Sequence, residues 1–190
     1  MFLAGAKVMK LFHSVCPEGK IGPTFAYLPS YPRSCKPEDM IAAMEADNLY
    51  NYYLTDIHVL GKYPKYYLNF LEKHGWMPDF EEGDTETLAG ANPDFIGFNY
   101  YLTYAAEYYG EEEKECDYNS ILHLAVPEHF RYVDNPYLSK TEHGWQIDLS
   151  GFRRSLMELY QRYHLPLMVD VMLEEWNFRH ISATALREDL

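Results

Sequence analysis

Cysteine is scarce in this 190-residue chain: Cys16, Cys35 and Cys116 are an odd set with neither paired nor CxxC spacing. That pattern argues against a disulfide framework and points to reduced thiols in a cytoplasmic setting. Positive charge is short as well, with 16 Lys and Arg against 29 Asp and Glu and a net charge of -13. Neither nucleic acid nor an anionic membrane is therefore an expected partner, because both select a basic surface. No apolar run approaches the ~20 residues of a membrane span. The first residues lack the charged start of a secretory signal. No glycine-rich phosphate loop follows any candidate strand, which weakens a nucleotide-binding interpretation. The eight histidines are scattered without metal-ligand spacing, so neither a metal nor another cofactor is expected.

What the chain does have is apolar and aromatic matter: 47% hydrophobic and 16% aromatic residues, enough for a substantial core in one ordinary domain. Its most informative stretch is 94–101, Asp-Phe-Ile-Gly-Phe-Asn-Tyr-Tyr, following a Gly90-Ala91-Asn92-Pro93 turn. A short, nearly all-apolar run of this kind suits a strand buried on both faces, as in a parallel sheet covered by helices. Period-2 alternation puts Phe95, Gly97, Asn99 and Tyr101 on one face and Ile96, Phe98 and Tyr100 on the other. The second face suits helix packing. The first turns polar toward its C-terminal end, where parallel α/β barrels build their active sites. A buried strand whose Asn and Tyr bond to nearby backbone fits the same pattern.

Along the chain, helices alternate with short strands. Residues 2–12 read as a helix ended by a Cys16-Pro17-Glu18-Gly19 turn, and 20–26 as a strand. A loop holding Pro29 and Pro32 follows. Pro37 suits a first helical position, with Glu38 and Asp39 favourable to the dipole. Met40, Ile41, Met44 and Leu49 carry that helix at roughly helical spacing to about residue 54. Another helix opens at Gly61-Lys62-Tyr63-Pro64, carries Tyr66, Tyr67, Phe70 and Leu71 on one stripe, and stops at Gly75. The acidic run 79–84 reads as a loop or solvated face. Residues 105–144 are polar, aromatic and weakly periodic, a connection long enough to serve a site, with 111–115 as an exposed tip. Ser150 is the expected cap of a helix through Tyr163, whose Phe152, Leu156, Leu159 and Tyr163 share one side. Residues 165–169 form a third apolar strand. Three strands between helices predict α/β architecture with parallel strands and right-handed crossovers, and the helix-first order looks like a section of a larger repeating fold.

Several segments, in order, resemble the glycoside hydrolase family 1 enzymes, and most of all the bacterial 6-phospho-β-glucosidases. They are Gly19-Lys20-Ile21-Gly22, Ser34-Cys35-Lys36-Pro37-Glu38-Asp39, Gly61-Lys62-Tyr63-Pro64, the 94–101 stretch, His143-Gly144-Trp145-Gln146-Ile147-Asp148, and residues 159–167. The resemblance covers residues 1–169 and leaves 170–190 as a divergent tail. It implies a partial (β/α)8 TIM barrel that begins in the helix after the family's fourth strand and supplies strands five, six and seven. The family's retaining mechanism uses two carboxylates about 5 Å apart, an acid/base and a nucleophile. By resemblance, the acid/base motif Asn-Glu-Pro would lie upstream of Met1. The nucleophile's Glu-Asn-Gly motif would follow the seventh strand, where this chain has Val171. Asp170 is one position early and alternation turns it to the other face; Glu174 and Glu175 lie outside the motif.

The resemblance also implies that Tyr101 orients the nucleophile and Asn99 lines the sugar site. His143 replaces the first Trp of a Trp-Gly-Trp pattern, and the family's 6-phosphate pocket belongs to a loop after an eighth strand. Two expectations follow. One is a 6-phospho-β-glucosidase section, without either catalytic carboxylate and inactive by itself, whose parent hydrolyses phosphorylated β-glucosides. The other is a non-catalytic half-barrel that binds sugar or self-associates through open barrel edges as a homo-oligomer.

Overall fold

The computed structural model describes residues 1–110, 125–126, 128–142 and 144–172. The expected loop tip at 111–115, with Cys116, His123, His143, Glu174, Glu175 and His180, lies outside the described residues. In chain order the elements are α1 (Phe2–Val15), β1 (Thr24–Tyr27), β2 (Ser30–Pro32), α2 (Pro37–Ala46), a π-helical segment (Asp47–Tyr52), α3 (Tyr53–Leu60), α4 (Lys65–His74), α5 (Asp84–Ala89), β3 (Ile96–Tyr100), β4 (Tyr104–Tyr108), β5 (Ala125–Val126), β6 (Phe130–Val133), α6 (Leu149–Tyr163) and β7 (Leu167–Met172).

The three strands expected from the sequence form one sheet in the order β1-β3-β7, parallel throughout. This is the section of a (β/α)8 barrel, with helices on its outer side. Phe25 and Tyr27 of β1 and Ile96, Phe98 and Tyr100 of β3 are buried against Leu159 and Tyr163 of α6, with Phe152, Leu156 and Leu167 packed alongside. The other face carries exposed Thr24 and Ala26 and half-buried Asn99. Alternation thus sorts β3 as its sequence implies: Phe98 and Tyr100 meet Phe152 of α6, with ring centroids at 6.2 and 5.4 Å.

A second sheet, in the order β2-β4-β6-β5, is an addition to the sequence-based expectation. Its β2–β4 pair is parallel, while β4–β6 and β5–β6 are antiparallel. The stretch assigned to a loop because of its two prolines contains β2. Pro32 is admitted there because β2 is an edge strand and Pro32 its last residue. Part of the weakly periodic 105–144 region becomes β4, β5 and β6, strands too short and too aromatic to announce themselves by alternation. Helix α2 covers this sheet with Ala42, Ala43 and Ala46, against Tyr104, Ala106, Phe130 and Tyr132. Met40, Ile41 and Met44 point outward instead, because the small alanine face allows the closer approach. The helical run passes through the π segment and continues past 54 in α3, to Leu60, and α5 occupies residues assigned to no helix.

Two arginines of α6 fasten it to its neighbours, Arg154 to β2 and the π segment and Arg162 to α3. Arg154 donates to Asp47 Oδ2 at 3.0 Å, to the Ser30 carbonyl at 2.7 Å and to Glu158 at 2.7 Å. Buried Asp47 also accepts from the Ser30 amide and from Asn51, and Asn51 bonds both backbone groups of Leu28. The corner where the chain leaves β1 for β2 is therefore held by side chains of the π segment. Arg162 makes a two-pronged contact with Asp56, at 2.9 and 2.7 Å, while its guanidinium lies 4.4 Å from the Tyr52 ring centre. The third cluster joins α1, α3 and α5 through Ala6, Met9, Ile57, Leu88 and Ala91.

Candidate functional site

The candidate site lies where β1, β3 and β7 end, on the face turned away from the helices. Asn99, the fourth residue of β3, stands in register with Ala26 of β1 and Val171 of β7. Its Oδ1 is enclosed and accepts no hydrogen bond among the described residues. An unsatisfied buried acceptor costs on the order of 1–3 kcal/mol, which distinguishes it from an amide satisfied by neighbouring backbone. Tyr101 sits one residue past the strand. Its ring packs against the core of the second sheet and lies edge-on to Trp145, centroids 5.9 Å apart and planes at 73°. The two residues singled out by sequence thus occupy the same strand end, Asn99 within the ladder and Tyr101 on the rim between the sheets.

Behind them the joint between β3 and α6 is closed. The Tyr100 hydroxyl donates to the Asp148 carbonyl at 2.6 Å and lies 2.7 Å from Thr103 Oγ1. With its only proton committed to the carbonyl, Tyr100 receives the Thr103 proton. Asp148, rather than Ser150, precedes the first turn of α6, and its side chain makes no capping bond. Tyr31 faces the buried Asp148 carboxylate, and burial together with that charge pushes its phenol up to about 12. Gly151 is required at this joint, since a Cβ there would collide with Thr103 Oγ1, Asp148 Oδ2 and the Tyr100 hydroxyl.

At β7 the register shifts: Val169 pairs with Phe98 and Val171 with Asn99, so Asp170 is left in a bulge and is exposed. A bulge interrupts alternation, so counting residues does not assign a face to Asp170. Val171 holds the ladder position beside Asn99, where the resemblance calls for a carboxylate. Sequence patterning missed this bulge and the Tyr100–Thr103–Asp148 joint. The only signal for the joint was the Gly at position 151, inside a helix otherwise made of good formers.

Elsewhere, a cleft of about 600 Å³ is lined by Arg33, Lys36, Asp39, Glu107, Tyr108 and Arg131, among others. Two of its three acids are engaged within the chain: Asp39 accepts from Ser34 and the Tyr108 amide, and Glu107 pairs with Arg131. Among the described residues no three His, Cys, Asp or Glu side chains are grouped to hold a metal ion. None of the described helices is long and apolar enough to cross a membrane.

The sequence profile of Glycosyl hydrolase family 1 matches residues 1–174. The chain is 38% identical over 175 residues to the aryl-phospho-beta-D-glucosidase BglC of Bacillus subtilis, covering 88% of this chain and 37% of that protein. It is 35% identical over 167 residues to a 6-phospho-beta-glucosidase of Clostridium longisporum, covering 88% and 33%. Among solved structures it resembles the family 1 β-glucosidases of Thermotoga maritima (TM-score 0.71, 25% identity, 89% of this chain and 34% of that one) and Exiguobacterium antarcticum (TM-score 0.72, 25% identity, 90% and 36%). The chain thus spans about a third of the length of these relatives. With the parallel β1-β3-β7 sheet, its outer helices and the profile match over most of its length, the chain belongs to glycosyl hydrolase family 1 as a section of that family's barrel.

Proposed function

We propose that this chain is the sugar-facing section of a retaining 6-phospho-β-glucosidase, and that by itself it binds a phosphorylated β-glucoside without hydrolysing it. The observation that carries the binding half is the place of Asn99 on the open face of the sheet, in register with Ala26 and Val171, with an Oδ1 that has no hydrogen-bond partner among the described residues. In this proposal Asn99 bonds a sugar hydroxyl, and Tyr101 is the residue that would orient a nucleophile. The absence of hydrolysis rests on Val171, which pairs with Asn99 in the ladder. A retaining glycosidase needs two opposed carboxylates, and in this proposal Asp170, exposed in its bulge, is not one of such a pair. The barrel section is proposed to be 1–169 with 170–190 as a divergent tail, in a cytoplasmic protein. The test is release of phenol from a phenyl 6-phospho-β-glucoside, run beside an Asp170→Ala control at high protein concentration. No turnover is expected from either chain. Saturable turnover that survives repurification and disappears in the control would overturn the proposal.

A second reading is favoured by the sheet edges. β1 and β7 each lack a second neighbour among the described residues, and the face between them exposes Thr24, Ala26 and Met168. Unpaired parallel edges beside an open face are templates for pairing with another chain. In this reading the section acts as an interaction module that self-associates.

A further inference from the structure

The loop between β6 and α6 is bonded largely to itself. Ile147 N donates to the Ser139 carbonyl at 2.9 Å, Thr141 N to the Trp145 carbonyl at 2.8 Å, and Trp145 N to Thr141 Oγ1 at 3.2 Å. Gln146 connects this loop to its root. Its side chain is enclosed, at 2% exposure. Oε1 accepts from the Asn135 amide at 3.0 Å and Nε2 donates to the Asn135 carbonyl at 2.8 Å. Both polar ends of the side chain are thus satisfied by one peptide position just beyond the last residue of β6. The residue before Gln146 is Trp145, whose ring stands edge-on to Tyr101 and is 37% exposed. Two residues after it, the Asp148 carbonyl receives the Tyr100 hydroxyl. Trp145 is therefore held through its own backbone by Thr141 and, on its C-terminal side, by the Gln146 clamp and then the β3 joint.

We propose that Gln146 is the positioning residue for Trp145: its two bonds to Asn135 set the indole against Tyr101 and hold it at the rim of the Asn99 site. The indole is too exposed to be fixed by burial, so its orientation depends on the backbone beneath it. A glutamine that pairs both backbone groups of Asn135 permits one loop geometry. The consequence for ligand binding rests on the function proposed above, whereas the placement of Trp145 does not. An aryl group reaching the rim gains an edge or face contact with the indole, and a sugar phosphate lacking that group does not.

The test uses the full chain with Trp76 and Trp176 replaced by Phe, leaving Trp145 as the sole indole. Gln146→Ala is expected to raise acrylamide quenching of Trp145 at least twofold, with the urea midpoint of the far-UV signal little changed. Gln146→Glu, which keeps the acceptor for the Asn135 amide and loses the donor, is expected to fall between. In calorimetric titrations, Gln146→Ala should weaken binding of phenyl 6-phospho-β-glucoside at least fivefold and leave glucose 6-phosphate unaffected. Failure of the parent chain to bind either sugar would remove the function proposed above, while quenching would still decide the role of Gln146. Unchanged quenching in both variants would overturn the inference. So would equal loss of both sugars, or a fall in urea midpoint that accounts for the quenching, since either would make Gln146 a general support of the loop.

Discussion

Asp94 shows how one side chain at a strand entrance can dominate its surroundings. Its carboxylate accepts from His13 at 2.9 Å, from the Ile21 amide at 3.0 Å and from Lys20 at 2.9 Å. These bonds, that with His13 foremost, hold it well below the usual carboxylate range. A carboxyl whose folded value is depressed adds stability above its unfolded value near 3.9, and that stability is lost as pH falls through the folded value. Asp94→Asn is accordingly expected to lower the urea midpoint at pH 7, with the gap to the parent closing only below about pH 4; a gap already closed at pH 5 would contradict this. Gly151 gives the opposite of ordinary helix behaviour. Replacing a helical glycine by alanine normally stabilises by up to about 1 kcal/mol. Here three oxygens converge on the missing Cβ, so Gly151→Ala should destabilise by about 1–3 kcal/mol through overpacking, as read by chemical denaturation.

At the scale of elements, the features legible in the sequence were those carried by a strong period. The outward set of β3 and the Phe152–Leu156–Leu159–Tyr163 stripe of α6 meet as their spacing implies. The second sheet was not legible, because β2 has three residues and β5 two, too few for a period to show. Nor could the sequence disclose that α2 buries its alanines and exposes its methionines, since a small-residue face is selected only when a neighbour approaches closely. The union of α6 with the π segment includes one buried ion pair, Arg154 with Asp47. Arg154→Ala takes the guanidinium from a carboxyl with 6% of its side chain exposed, which burial already raises to about 7, so Asp47 takes up a proton and its bonds to α6 are lost. The expected cost is about 1–3 kcal/mol, from the buried hydrogen bonds left unmade, measured as a shift in urea midpoint. A loss below about 1 kcal/mol would mean that water replaces the arginine.

For the whole molecule, the open sheet is the property with the largest consequence. If its edges pair between copies, the purified chain sediments above the mass of one chain and dissociates on dilution. Ala26→Lys, a charge on the exposed face of edge strand β1, should shift it toward the monomer without altering far-UV dichroism. A parent chain that remains monomeric at high concentration would remove the self-association reading.

The sequence by itself determined the three parallel strands, the sorting of Phe98 and Tyr100 from Asn99, and membership of a (β/α)8 family, because period and motif order are local properties of a chain. Tertiary structure decided the bulge at Asp170, the pairing of Val171 with Asn99 and the small second sheet. It also decided the setting of Trp145 through Gln146. Each of these depends on hydrogen bonds between segments distant in sequence, and no local pattern records where such a partner will stand.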